Sequence, residues 1–130
     1  MPITELFHID RFQTSGKDIS ATVALNPVHP IFSGHFPGQP VLPGVCMIRI
    51  VKELLENATK NALTMVRADQ IKFLTVIDPR HTVSFEATVN FDFDNEGELK
   101  AGGSFFNGDT VYFKLQGATF ISKERKGAKA

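Results

Sequence analysis

The chain has 130 residues but no Trp, one Tyr and one Cys. A single Cys46 excludes an intrachain disulfide and argues against a cysteine-based metal cluster. The four His residues are scattered without metal-ligand spacing, so no metal is expected. Neither charge is in excess, because 14 Lys and Arg balance 14 Asp and Glu. That removes the electrostatic footprint of a nucleic-acid binder. No apolar run approaches the ~20 residues of a membrane span, so no membrane partner is expected. Met1-Pro2-Ile3-Thr4-Glu5 offers no basic start and no long apolar stretch after it, so no signal peptide is expected. The chain reads as a soluble, cytoplasmic domain.

What the sequence does have is phenylalanine. Twelve Phe and a hydrophobic content of 42% suffice for one ring-rich core. Residues 4–12 and 18–25 are predicted strands joined by a turn at Ser15-Gly16-Lys17-Asp18. Residues 26–44 hold five of the seven prolines and three glycines, which predicts a long stiff loop without strand or helix. Loops of that length in a compact domain are more often functional than idle.

Pro43 suits the first turn of a helix ending near Asn57–Lys60. Val45, Met47, Ile48, Ile50, Val51, Leu54 and Leu55 form its apolar face, and Arg49, Lys52, Glu53 and Glu56 its polar stripe. Cys46 lies in the first turn, and its place between Val45 and Met47 reads as that of a small buried hydrophobe. Strands follow at 63–76, 83–94, 98–106 and 111–120. Asp78-Pro79-Arg80-His81 and Asn107-Gly108 are the turns, and Gly102-Gly103 is a candidate bulge. From Val83 to Asp94, apolar and polar residues alternate strictly, which predicts one buried and one wet face. Residues 123–130 are a basic tail expected to fray. One helix cannot cover both faces of so much strand. The order therefore predicts an α+β fold, a curved antiparallel sheet wrapped around one central helix, with edges that need a second copy.

The run Gly34-His35-Phe36-Pro37-Gly38-Gln39-Pro40-Val41-Leu42-Pro43-Gly44-Val45 resembles the signature of the hot-dog-fold 3-hydroxyacyl-(acyl-carrier-protein) dehydratases of type II fatty acid synthesis. Asp69-Gln70-Ile71-Lys72-Phe73-Leu74-Thr75-Val76-Ile77-Asp78-Pro79 resembles that family's strand-and-turn segment. The resemblance implies a single hot-dog domain over residues 1–122. It implies dehydration of 3-hydroxyacyl thioesters to trans-2-enoyl thioesters, in fatty acid or related acyl and polyene biosynthesis. No cofactor is expected, the substrate being carried on the phosphopantetheine of an acyl carrier protein. A homodimer or a trimer of dimers is expected.

That chemistry removes a proton α to a carbonyl and expels a β-hydroxide. The resemblance implies His35 as general base, a role that an imidazole titrating near neutrality suits. It implies the Gly44 backbone N–H, at the positive end of the helix, as donor to the enolate oxygen. Phe36, Pro43, Val45 and Ile48 are the expected substrate-binding residues. The family carries Glu or Asp five residues after the glycine, and here that position is Arg49. An Arg can hold a hydroxyl but is a poor acid. Glu53, one turn further on, is either a substitute carboxylate or the i+4 partner of Arg49.

His29 reads as a loop hydrogen-bonder. Arg67, Lys72, Arg80, Lys123, Arg125 and Lys126 could offer a basic surface to a carrier protein. Two alternatives stand beside the dehydratase. One is a non-catalytic acyl-binding subunit paired with an active homologue, and the other is an acyl thioesterase.

Overall fold

The computed structural model describes residues 5–34, 40–94 and 96–122. Six strands form one antiparallel sheet: β1 (Phe7–Ser15), β2 (Asp18–Leu25), β3 (Leu63–Phe73), β4 (Ser84–Phe93), β5 (Leu99–Asn107) and β6 (Thr110–Ser122). Their spatial order is β1-β2-β4-β5-β6-β3. A helical turn, α1 (Ile31–Gly34), precedes the long helix α2 (Gly44–Thr59). The stretch expected to be loop throughout is therefore interrupted by α1. The Pro30 carbonyl accepts from the Ser33 amide and from its hydroxyl, and the His29 carbonyl from the Phe32 amide, so the turn closes locally while Phe32 is buried. The basic tail expected at 123–130 lies outside the described residues.

Helix α2 forms because its apolar residues recur every three to four positions. It buries Cys46, Met47, Ile50, Val51, Leu54 and Leu55. Each large aliphatic side chain so removed from water contributes roughly 1.5–3 kcal/mol. Two members of the expected apolar face differ. Val45 is 78% exposed, and Ile48 only packs at the edge of the core. The helix stops at Lys60, which adopts the left-handed conformation (φ 60°) and donates its amide to the Glu56 carbonyl at 2.8 Å. The Glu56 carboxylate accepts from the Leu63 amide at 2.7 Å and from Lys52 at 3.2 Å, which fixes the entry into β3.

Two middle strands approach closely where one of them carries residues without side chains. A Cβ on Gly103 would stand 2.5 Å from the Thr88 carbonyl oxygen and 3.1 Å from Val89 Cα, so β5 lies closer to β4 there than any other residue allows. The bulge expected at Gly102-Gly103 is on the neighbouring strand instead. β5 keeps continuous register with β4 through both glycines, whereas β5 and β6 slip between Ala101↔Ala118 and Gly103↔Leu115. The extra residue belongs to β6 around Gly117, whose φ is +61°. Replacement of Gly103 by Ala is expected to cost about 1–3 kcal/mol, because the added methyl meets backbone that cannot step aside. Urea unfolding measures this, and a loss below ~0.5 kcal/mol would show that the two strands separate freely.

The alternation of β4 holds over its middle, where Phe85, Ala87 and Val89 are buried. Val83, just before β4, and Phe93, its last residue, are more than half exposed. The hairpin after β5 turns through Gly108 and Asp109, since Asn107 pairs with Thr110. The β3–β4 turn is held by Asp78, which accepts from the Arg80 amide and guanidinium. That side-chain bond lowers its carboxyl to about 2. At the β1 edge a register shift between Asp10 and Gln13, with Arg11 at φ 50°, breaks the flat row of backbone groups. The β3 edge has a different surface: Val66, Ile71 and Phe73, with Leu74 and Val76 just beyond, are exposed. No helix is long and apolar enough to cross a membrane among the described residues.

Candidate active site

The start of α2 is positioned by two anchors. Buried Leu42 donates its amide to the carbonyl of fully buried Ile77, at 2.8 Å, which ties the proline-rich segment to the β3–β4 connection. Pro43 then sets an extended entry (φ −64°, ψ 149°) and has no side chain able to cap the helix. Its carbonyl accepts from the amides of Cys46 and Met47, at 3.0 and 3.3 Å. The amides of Gly44 and Val45 are left with no acceptor among the described residues. Two N–H groups without an acceptor among the described residues, at the positive end of a sixteen-residue helix, are suited to a developing oxyanion.

His35 and Phe36, the expected base and one expected acyl contact, lie outside the described residues. Around them the chain is anchored at Asn26, whose side chain donates to the Glu5 carbonyl and accepts from the Val28 amide, and at His29. His29 Nδ1 accepts from the Ile31 amide at 3.0 Å, which agrees with a loop hydrogen-bonder. That bond places the proton of a neutral imidazole on Nε2.

Arg49 and Glu53 are brought together with residues that the sequence pattern did not connect to them. They line a cavity of about 350 Å³ with Glu5, Leu6, Phe7 and His29. The Arg49 guanidinium stands over the Phe7 ring, 5.6 Å from its centre, a cation–π contact between α2 and β1. Arg49 and Glu53 form no ion pair with each other. The i+4 pair on this stripe is Lys52–Glu56, at 3.2 Å. Glu53 therefore remains available to the cavity rather than neutralising Arg49. Along the helix axis Arg49 lies about 7–8 Å from Gly44. Cys46 is buried as expected, and desolvation pushes its thiol up, an effect that Arg49 partly offsets.

The residue missed by pattern reading is Phe73. Its ring lies against Gly44: a Cβ on that glycine would stand 2.7 Å from Phe73 Cζ and 2.9 Å from Cε1. Of the expected acyl contacts, exposed Val45 and half-buried Pro43 flank this point, and Ile48 lies one turn deeper. The expected basic surface is thinner than its count suggests. Arg80 is paired with Asp78, while Lys72 sits opposite Lys114 across the β3–β6 ladder. Its other members Lys123, Arg125 and Lys126 lie outside the described residues. Among the described residues no group of His, Cys, Asp or Glu is arranged to hold a metal ion.

Comparison with known proteins agrees with this architecture. Residues 11–104 match the model of the ApeI-like family, described as ApeI dehydratase. A 3-hydroxyacyl-(acyl-carrier-protein) dehydratase FabZ of Rickettsia bellii is 32% identical over 82 residues, 57% of this chain and 57% of that protein. The FabZ of Rickettsia felis is 31% identical over 107 residues, 68% of this chain and 74% of that protein. The chain thus matches little more than half the length of the first of these relatives. Among solved structures, the dehydratase heterocomplex ApeI:P from Xenorhabdus doucetiae aligns with a TM-score of 0.70 at 19% identity, over 92% of this chain and 100% of that one. An uncharacterized protein from Erwinia carotovora subsp. atroseptica aligns with a TM-score of 0.57 at 22% identity, over 95% of this chain and 98% of that one. The curved six-stranded sheet around one long helix is the hot-dog fold, and the chain belongs to the ApeI-like dehydratase family.

Proposed function

We propose that the protein dehydrates 3-hydroxyacyl thioesters carried on an acyl carrier protein to trans-2-enoyl thioesters. The observation that carries this reading is the pair of amides at Gly44 and Val45, without an acceptor among the described residues and fixed by Pro43 and by the Leu42–Ile77 bond, in a chain of a dehydratase family. His35 takes the α-proton. The thioester oxygen, gaining charge as that proton leaves, accepts from the Gly44 amide. The β-hydroxyl lies towards Arg49, whose guanidinium holds it by hydrogen bonds but does not protonate it. Glu53, unpaired with Arg49, lines this cavity with Glu5, and as the carboxyl one helical turn from Arg49 it is the one we assign to deliver the proton that makes the hydroxyl leave as water. No cofactor takes part. The protein is proposed to work as a cytoplasmic homodimer through its apolar β3 edge.

The test is turnover of a short 3-hydroxyacyl-carrier-protein substrate, with the enoyl product followed by mass. Glu53→Gln is expected to lower kcat by about 10²-fold or more if Glu53 supplies the proton. Full activity of Glu53→Gln would remove it from the mechanism. A second reading rests on Arg49 standing where the family has an acid. In that reading the chain is the non-catalytic, acyl-binding member of a heterodimer. One dehydratase structure of the same fold is described as a heterocomplex. Absence of turnover by a folded dimer, with activity gained on adding a homologous partner, would favour it.

A further inference from the structure

We propose that His29 is a third group of the β-hydroxyl subsite: its Nε2–H donates to the β-oxygen as that oxygen leaves, beside Arg49 and Glu53. The inference rests on the dehydratase reading above and brings into it a residue to which that reading gives no part in the reaction. Three observations carry it.

First, the ring is fixed. The His29 amide donates to the Asn26 carbonyl at 3.1 Å, and its own carbonyl accepts from the amide of buried Phe32 at 3.1 Å. Its Nδ1 accepts from the Ile31 amide at 3.0 Å. An imidazole tied to the backbone in this way loses little freedom when a ligand arrives.

Second, the same bond decides what the ring can offer. Nδ1 is used as an acceptor, so the neutral ring carries its hydrogen on Nε2. The edge turned away from Ile31 is therefore a donor, not a base.

Third, His29 stands in the cavity of about 350 Å³ that also holds Arg49, Glu53 and Glu5. Among the described residues none of these three forms an ion pair, since Lys52 is taken by Glu56. Two donors, Arg49 and His29, thus share a cavity with two carboxyls. A hydroxyl suits such a set, because its oxygen accepts two hydrogen bonds and also takes a proton. As the C–O bond breaks, the oxygen gains negative charge, and donors fixed beside it gain strength at that moment. The protons balance without His29: the α-proton goes to His35, and the Glu53 proton leaves with the hydroxyl as water.

The loop itself supplies the variant that separates the two roles of the ring. Asn26 Oδ1 accepts from the Val28 amide at 3.2 Å, the same bond to the second residue onward that His29 Nδ1 makes to Ile31. His29→Asn can therefore keep the turn while its short side chain gives up the reach of Nε2. His29→Gln carries an N–H group at about the reach of Nε2 but not the turn bond. The probes are a 3-hydroxyacyl pantetheine amide, with nitrogen in place of the thioester sulfur, and its 3-deoxy counterpart. Calorimetry is expected to show that wild type prefers the hydroxyl form. His29→Asn should lower that preference about three- to tenfold, the worth of one hydrogen bond, with affinity for the 3-deoxy probe unchanged. On a 3-hydroxyacyl-carrier-protein substrate its kcat should fall about tenfold or more, with a thermal midpoint close to wild type. His29→Gln should recover part of that kcat although its thermal midpoint is lower.

If His29→Asn keeps the wild-type preference and kcat, or loses affinity for both probes alike, His29 is a loop residue only and the inference is overturned. Equal binding of the two probes by an active wild type would also overturn it, by placing the β-oxygen outside this cavity. A folded wild type that binds neither probe and turns over no substrate would instead overturn the dehydratase reading, and the role of His29 with it.

Discussion

His35→Ala is expected to reduce kcat/KM for a 3-hydroxyacyl-carrier-protein substrate by about 10²–10⁴, the usual contribution of a positioned general base. That corresponds to ~3–5 kcal/mol of transition-state stabilisation. The α-proton of a thioester is weakly acidic, and no second imidazole stands in for the base, because His29, the other His of this segment, has its Nδ1 committed to the Ile31 amide. Binding should change much less, since the imidazole acts on a proton in flight and the Gly44 amide still meets the carbonyl. The expected signature is a fall in kcat with little change in KM. Steady-state kinetics beside thermal unfolding of both proteins separates this from a folding defect. A variant with more than about a tenth of wild-type activity would reassign the base, and Glu53 would be the next group to test.

The parts of this molecule that were legible in the sequence are those written into local pattern. The 3.6-residue period of α2 and the two-residue period at the centre of β4 each follow from one face meeting the core, and both held. The strand ends were not legible. Val83 and Phe93 continue the alternation of β4, yet they remain exposed. The bulge was assigned to the wrong strand because two adjacent glycines are a louder signal than one. It is Gly117, alone in β6, that adopts the positive φ, whereas Gly102 and Gly103 answer to close packing. At the site, the place of Gly44 at the start of α2 and the departure at Arg49 were visible in the signature itself. The contacts of Arg49 with Phe7 and of Gly44 with Phe73 were not, since each joins segments far apart in the chain through the sheet order. No spacing rule reports such a pair. What the sequence did carry for Phe73 was its place in the Asp69–Pro79 stretch.

Phe105→Ala is expected to destabilise the protein by about 3–5 kcal/mol. Phe105 is fully buried, and it lies 4.8 Å from the ring centre of Phe85 on one side and 4.8 Å from that of Phe113 on the other. It is thus an inner member of a row of four rings across β4, β5, β6 and β3 that ends at Phe73. Truncation removes two tilted ring contacts, each worth ~0.5–1.5 kcal/mol beyond burial. It also leaves a cavity that the sheet cannot close, because the Phe105 backbone is paired on both sides, with Ala87 and with Phe113. A fall in Tm of ~10–20 °C is expected for a domain of this size. Phe105→Leu should cost less, since it keeps most of the apolar volume. Loss of Phe105 also removes a neighbour of Phe113, the ring on which Phe73 packs beside Gly44. A loss of stability under about 1 kcal/mol would show that the row of rings is not close-packed, and the link it makes between the centre of the core and the mouth of the site would then fail with it.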